Sequence, residues 1–348
     1  MSQPGAGSVQ FGFGLITCQR YPGDARSDVE LYAQALDLAE LAEAVGFDSI
    51  WVSEHHFVDD AYLPALMPMA AAIAARTTRA AIGTGLVLAP LHDPVRLAED
   101  AAVVDLIAAG RLILGLGLGW REEEFEGFRI PIDSRVERLE TAIAVLRQSW
   151  GDGSVLGTEG EAYPGMSVTP KPAQPGGPPI WIGALSPPGV RRAGRVADGF
   201  MGTEVTPESF GAQVRLAREA RAAAGRDPWD LAISLHLPTF AWPGPDAWDL
   251  VKEHHHYVGW KYEDMETARG RVGGPVPKPS LTADLEVELR SQIVLGTPDE
   301  VVEQVAAYAA AAGGDIHYIA RLYWPGMDPG IQDEAIRVFA EEVIPRLR

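Results

Sequence analysis

Apolar positions along the chain follow two rhythms that take turns. Val9 to Leu15 is a short, nearly unbroken apolar run of the kind a buried strand shows. It is followed by Ser27-Asp-Val-Glu30, where a serine and a glutamate three apart predict a capping box at a helix start. Leu31, Ala35, Leu38, Ala42 and Val45 then recur every three or four residues as one apolar stripe, and Gly46 is placed to end the helix in the left-handed conformation. Further strands are predicted at Asp48 to Val52, Ala80 to Val87, Arg111 to Gly117, Pro179 to Gly183, Asp198 to Gly202, Leu231 to Thr239 and Ile316 to Leu322. Helices are predicted between them: Pro64 to Ala75, Pro94 to Ala109, a second capping box Ser134 to Glu137 opening a helix to Trp150, one from Pro187, one over Pro207 to Ala224, and one from Thr297-Pro-Asp-Glu300 to Ala312. A closing helix ends the chain.

Strands and helices alternating eight times predict an α/β fold, a (β/α)8 TIM barrel spanning 1–348 as one domain; an open doubly wound sheet would use fewer pairs. Two connections exceed simple turns, near 151–178 and 243–296. The longer follows the seventh strand, on the face where barrel enzymes place their chemistry, and is a candidate lid.

Composition narrows the partners. The chain has 348 residues, 47% of them hydrophobic, and a net charge of −19 from 48 acidic against 29 basic side chains. That balance argues against nucleic acid or an anionic membrane surface as the main partner and leaves a small ligand. One cysteine, Cys18, excludes a disulfide-stapled scaffold. Residues 1–8 lack the basic start and apolar run of a secretion signal, and no stretch has the apolar length of a membrane span, so a soluble, cytoplasmic protein is expected.

Candidate chemistry gathers where strands end. Trp51-Val-Ser-Glu54-His55-His56-Phe57 brings an acid, two imidazoles and an aromatic ring to the barrel mouth, where a histidine suits proton transfer; the bland alternative is one packed and one solvated imidazole. Adjacent histidines diverge and no His-Glu-x-x-His occurs, so no metal site is expected. Gly115-Leu-Gly-Leu-Gly119-Trp120 is not a dinucleotide fingerprint, because its third glycine is misplaced and the next clear helix is expected only near Ser134. Its glycines, like Gly83-Thr84-Gly85, either admit a flat ligand close to the backbone or serve tight barrel packing. Ile180 to Pro188 ends a strand in small residues with Ser186 as the expected cap; its amides and hydroxyl suit a phosphate, or the turn is an ordinary one. Cys18 has no basic neighbour in the local sequence and is expected to be a pocket wall rather than a nucleophile. His254, His255 and His256 are expected in a solvated stretch of the long insertion.

These segments resemble the luciferase-like flavin monooxygenases and their deazaflavin-using relatives. The resemblance covers nearly the whole chain and is most specific in Gly46 to Phe57, His92 to Asp100, Gly110 to Arg121, Pro179 to Gly183, Ala197 to Gly199 and Leu295 to Asp299. It implies a flavin-dependent monooxygenase that takes reduced FMN from a separate NAD(P)H:flavin reductase and, with O2, forms a flavin C4a-hydroperoxide that oxygenates a small, largely apolar substrate. It implies His55 as the catalytic acid or base with Glu54 as its orienting partner. Thr84 and Gly85 would support the flavin ring, often through a non-proline cis peptide, and Gly117, Leu118, Gly119 and Trp120 would line its edge. Gly183, Ala184, Leu185 and Ser186 would form the phosphate turn, and Cys18, His56, Phe57 and Trp324 the substrate pocket. The family's phosphate-binding arginine is replaced by Leu118 and its reactive cysteine by Gly117, which shifts phosphate binding to Arg121, the 183–186 turn and Thr203. The alternatives are hydride transfer with the deazaflavin F420, against which Glu54-His55 stands where an Asp-His is usual, and a flavin-binding protein without turnover. A homodimer is the family habit.

Overall fold

The computed structural model describes residues 9–151, 167–203, 205–267 and 278–348. In chain order its strands and helices are β1 Val9–Ile16, α1 Asp28–Val45, β2 Ser49–Val52, α2 Leu66–Arg76, β3 Ala81–Thr84, β4 Val87–Leu88, α3 Pro94–Ile107, β5 Leu112–Gly117, α4 Glu122–Gly127, α5 Arg135–Trp150, β6 Ile180–Gly183, α6 Pro187–Val196, β7 Gly199–Thr203, α7 Pro207–Ala223, β8 Ala232–Ala241, α8 Ala247–Thr267, α9 Ala283–Arg290, β9 Val294–Gly296, α10 Pro298–Ala312, β10 Ile316–Arg321 and α11 Pro329–Val338. All strand pairs are parallel, and the order β10-β1-β2-β3-β5-β6-β7-β8 closes because β8 also pairs β10. The chain is therefore a (β/α)8 barrel and not an open sheet. β4 and β9 are short additions to β5 and β8.

Local rules account for most boundaries. Ser27 and Glu30 exchange capping hydrogen bonds, and Gly46 ends α1 at φ 108° with its N–H on the Ala42 and Glu43 carbonyls. Thr297 and Glu300 form the same box at α10. Ser134 does not: a 3-10 turn at Ile132–Ser134 already gives it helical backbone, so its hydroxyl donates to the Pro131 carbonyl and the expected second capping box is absent. A cap residue must be extended for its side chain to reach back over the first turn.

Two further expectations change. The third strand was expected to run unbroken to Val87 but divides into β3 and β4, with a cis Gly85–Leu86 peptide between them. At the break the Thr84 hydroxyl takes the place of a strand neighbour, accepting from Gly115 N–H at 2.8 Å and donating to its carbonyl at 2.9 Å. The 243–296 insertion is not a loop: α8, α9 and β9 occupy its described parts and bury a second core around Phe240, Trp248, Val251, Leu289 and Trp324.

Alternation along the strands sorts side chains into an outer core and a lumen. On β10, Tyr318 and Ala320 pack outward into the main core while His317 and Ile319 face inward. Two indoles fill the lumen: Trp51 and Trp181 lie 5.3 Å apart, and His317 stands edge-on to both. Ser49 ties this layer together through hydrogen bonds with Trp51 Nε1 (2.7 Å) and His317 Nε2 (2.6 Å). Rings of this size fit because their neighbours are glycines: a Cβ on Gly83 would fall 2.3 Å from the Trp51 ring, and one on Gly199 2.4 Å from Trp181. The floor of the barrel is thus solid, and the rim residues that follow the strands stand above it at the C-terminal mouth.

Candidate active site

The mouth is floored by Leu15, Ile319 and Leu86. Leu86 projects over three glycines, and a Cβ at Gly183 would fall 2.3 Å from its side chain, one at Gly117 3.0 Å and one at Gly115 3.1 Å. The space cleared by these glycines is therefore taken by Leu86, whose partly exposed face is what a flat ligand would meet. Of the two expected uses of the glycine run, tight packing is the one seen at Gly115 and Gly117. Thr84 is fully buried, and its hydroxyl is used between strands.

His55 leaves β2 at the rim. Its Nδ1 lies 2.9 Å from Glu124 Oε1, and that oxygen also accepts the His56 N–H at 2.9 Å. Glu124 is fully buried, His55 nearly so. A carboxylate only accepts, so Nδ1 carries the proton and Nε2 is the basic nitrogen. The His55 ring is enclosed by Tyr62 at 4.9 Å, Tyr262 at 5.6 Å and Trp120 at 5.8 Å. Trp120 is 42% exposed, an aromatic face open to the mouth.

The carboxylate that orients His55 is thus Glu124 and not Glu54. Glu54 accepts from Leu88 N–H at 2.9 Å and faces His92 and His56 at 3.3 and 3.5 Å. Burial alone would raise its pKa, but the two imidazoles and the Leu88 amide outweigh this and hold it down at about 2. It anchors the turn after β4 to the segment carrying His55. Glu124 escaped the sequence reading because α4, begun one residue after Arg121, was not expected; in the run Glu122-Glu123-Glu124 nothing local marks the third as the one turned inward.

Arg121 is likewise committed. Its buried guanidinium donates to the carbonyls of His56 and Phe57 and lies 3.6 Å from Glu123, so it braces the rim and is not a free phosphate ligand. Ser186 caps α6, accepting from Gly189 N–H at 3.4 Å, and Pro187 and Pro188 remove two amides that a phosphate would use. Leu118 is partly buried against the main core, while Gly119 adopts φ 71° beside Phe125. Leu185 is 54% exposed. The Ala184 N–H goes to the Met201 carbonyl, and the Thr203 hydroxyl meets His236 Nδ1 at 3.3 Å.

The expected substrate walls are dispersed. Cys18 is fully buried in the main core, where burial pushes its thiol up to about 12, so it is neither wall nor nucleophile. His56 packs on Phe128 at 4.8 Å and Phe57, 59% exposed, on Phe128 at 5.4 Å, away from His55. Trp324 belongs to the core beneath the insertion. The His254 to His256 run is not solvated: His255 and His256 are buried and His254 partly so, because one face of α8 packs on the barrel. His255 Nε2 pairs with the Leu289 carbonyl and His254 Nδ1 with that of Pro325.

α8 roofs one side of the mouth. The Tyr257 hydroxyl lies 2.7 Å from Asp60 and 3.1 Å from the Arg20 carbonyl, Lys261 pairs with Asp59 and with Asp264 at 3.2 Å, and the Tyr62 and Tyr262 hydroxyls meet at 3.1 Å. The segment 59–62 that packs on His55 is thus clamped from above.

A solid barrel floor, an apolar shelf and a rim imidazole with an oriented proton meet at the barrel mouth. The sequence model of the family described as luciferase-like monooxygenase matches residues 10–315. The chain belongs to the luciferase-like monooxygenase family. Among family relatives, an F420-dependent glucose-6-phosphate dehydrogenase of Microbacterium testaceum is 30% identical, covering 90% of this chain and 93% of the relative. The oxygenase component of a flavin-dependent trigonelline monooxygenase of Acinetobacter baylyi is 26% identical, covering 95% and 93%. Among solved structures, the monooxygenase RslO1 from Streptomyces bottropensis superposes with a TM-score of 0.82 at 24% identity, over 97% of this chain and all of the other. The oxygenating constituent of 3,6-diketocamphane monooxygenase from Pseudomonas putida, in complex with FMN, gives 0.73 at 21% identity over 98% of each chain. These relatives are named dehydrogenases and monooxygenases, and this member of the family is an oxidoreductase enzyme.

Proposed function

We propose that the protein is a flavin-dependent monooxygenase that takes reduced FMN from a separate reductase and uses O2 to oxygenate a small organic substrate at the barrel mouth. The observation that carries this reading is the His55–Glu124 pair set beside an apolar shelf. The residues fit a flavin ring: Leu86 and the open Trp120 face supply apolar surface for it. Reduced FMN, when bound, supplies the two electrons that oxygen activation needs. His55, its Nδ1–H held by Glu124, holds or moves a proton at Nε2. Tyr62, Tyr262 and α8 exclude water from that side of the imidazole.

Several relatives are F420-dependent glucose-6-phosphate dehydrogenases, which supports a second reading, hydride transfer with F420. The Glu54-His55 order favours FMN. Val103, Leu106 and Ile107, all exposed on one face of α3, support a homodimer as part of the proposal. No helix among the described residues is long and apolar enough to cross a membrane.

Anaerobic titration with FMNH2 and with reduced F420, followed by admission of O2, tests the reading. Saturable FMNH2 binding and protein-dependent O2 uptake are expected. Binding of reduced F420 alone, with no O2 uptake, would overturn it in favour of hydride transfer.

A further inference from the structure

Arg321 ends β10 at the mouth. Alternation from His317 and Ile319 turns it into the lumen, and its cross-strand neighbours are Gly14 on β1 and Pro238 on β8, neither of which offers a charge. Among the described residues its guanidinium makes no ion pair and no hydrogen bond, although it is only partly exposed. The net charge of −19 leaves carboxylates in excess, yet none among the described residues pairs with this cation. An uncompensated guanidinium held away from bulk water is costly, and its usual compensation is a bound anion.

Among the described residues the neighbourhood is polar but not acidic. His236, two positions before Pro238 on β8, faces the same lumen and meets Thr203 of β7 at 3.3 Å. Burial, aided by the Arg321 charge, pushes His236 down to about 3, so it is neutral near pH 7 and does not compete as a cation. The same positive charge helps hold the His255 imidazole down and opposes the rise of the Tyr62 hydroxyl, both of which burial dominates. Two buried polar atoms on this side, His255 Nδ1 and Trp324 Nε1, have no hydrogen-bond partner, and their rings stand 5.8 Å apart. Buried donors and acceptors left open beside an unpaired cation mark a place where a ligand completes the polar network.

We propose that Arg321, with His236 and Thr203, is a subsite for a carboxylate carried by the substrate, at the same barrel mouth as His55. The guanidinium fork suits a carboxylate in two-point contact, and the substrate's body would then lie over Leu86 and Ile319 toward His55. The enzyme therefore selects small organic acids rather than neutral apolar molecules. The position of the oxidised atom rests on the flavin reading above; the anion subsite does not.

The carboxylate preference is read without cofactor. Quenching of intrinsic tryptophan fluorescence is titrated with benzoate and with its neutral counterpart benzamide, in the wild-type protein and in Arg321→Gln, and binding of FMNH2 and of reduced F420 is measured on both proteins. Wild type should bind benzoate about 10-fold more tightly than benzamide. R321Q should abolish that preference while leaving benzamide and cofactor binding within about 2-fold. No preference in wild type, or a preference that survives R321Q, overturns the proposal. Parallel loss of benzoate and cofactor in R321Q also overturns it and assigns the cation to the cofactor. If R321Q does not fold, His236→Asn is read by the same criteria with an expected loss of about 3-fold. Failure of wild type to bind either cofactor, with the benzoate preference intact, sinks the flavin reading and leaves the subsite standing.

Discussion

At the scale of single residues the site depends on which carboxylate meets which imidazole. His55→Asn should lower kcat by about 10²–10⁴-fold with little change in folding, the range expected for loss of a positioned acid–base group. Glu124→Gln keeps an acceptor for Nδ1 but removes the charge, and about a 10-fold loss in kcat with a shifted pH–rate profile is expected. Glu54→Gln should act mainly on thermal stability, since Glu54 holds the Leu88 amide and not His55. Equal kinetic losses in E124Q and E54Q would show the two roles to be misassigned. Packing makes a separate demand at Gly83: alanine there drives a Cβ into the Trp51 ring, and G83A should lose about 1–3 kcal/mol in denaturant unfolding. The pairing of His55 with Glu124 spans 69 positions, and no periodicity in the chain encodes it.

At the scale of elements, α8 is the piece whose attachment controls the mouth. Tyr257→Phe removes its contact with Asp60 and the Arg20 carbonyl. Faster amide hydrogen exchange over 247–266 is expected, with β1 and β10 unchanged. Uniform exchange across α8 and the barrel would mean that the helix does not open separately. The same helix offers a stabilising change: an alanine Cβ at Gly259 would find only Leu289, at an ordinary 3.6 Å. Gly259→Ala should therefore add about 0.5–1 kcal/mol in thermal unfolding, and a loss would show that the helix backbone there is not regular. Caps and glycine stops at α1 and α10 were legible as residue types at fixed spacing. α4 was not, because six residues hold too little periodicity to stand out.

At the scale of the whole molecule, buried histidines set the acid limit of stability. Burial lowers His236 to about 3 and His255 and His317 to about 4, from an ordinary value of 6.5. Between those values the unfolded chain binds protons that the folded chain refuses, so the stabilisation is complete above pH 6.5 and is lost as pH falls toward 4. Glu54, held near 2, adds a further loss below about pH 4.5. The thermal midpoint should be flat from about pH 6.5 to 8 and fall steadily below, and His317→Gln should flatten part of the decline. A profile level down to pH 4.5 would contradict the burial of these imidazoles.

Alternating apolar rhythms and capping residues determined the barrel, because strands and helices that bury one face need only local periodicity and adjacent stop signals. Sequence order also determined that His55 stands at the rim, since it follows directly on β2. Only the closed barrel decided the rest. Lumen and rim contacts join residues dozens to hundreds of positions apart: Glu124 turned toward His55, Leu86 laid over three glycines, Arg121 spent on backbone carbonyls, and Arg321 left without a counter-charge among the described residues. Such pairings arise from closing the sheet on itself, a step that sets which side chains share the lumen and leaves no mark in the spacing of residues along the chain.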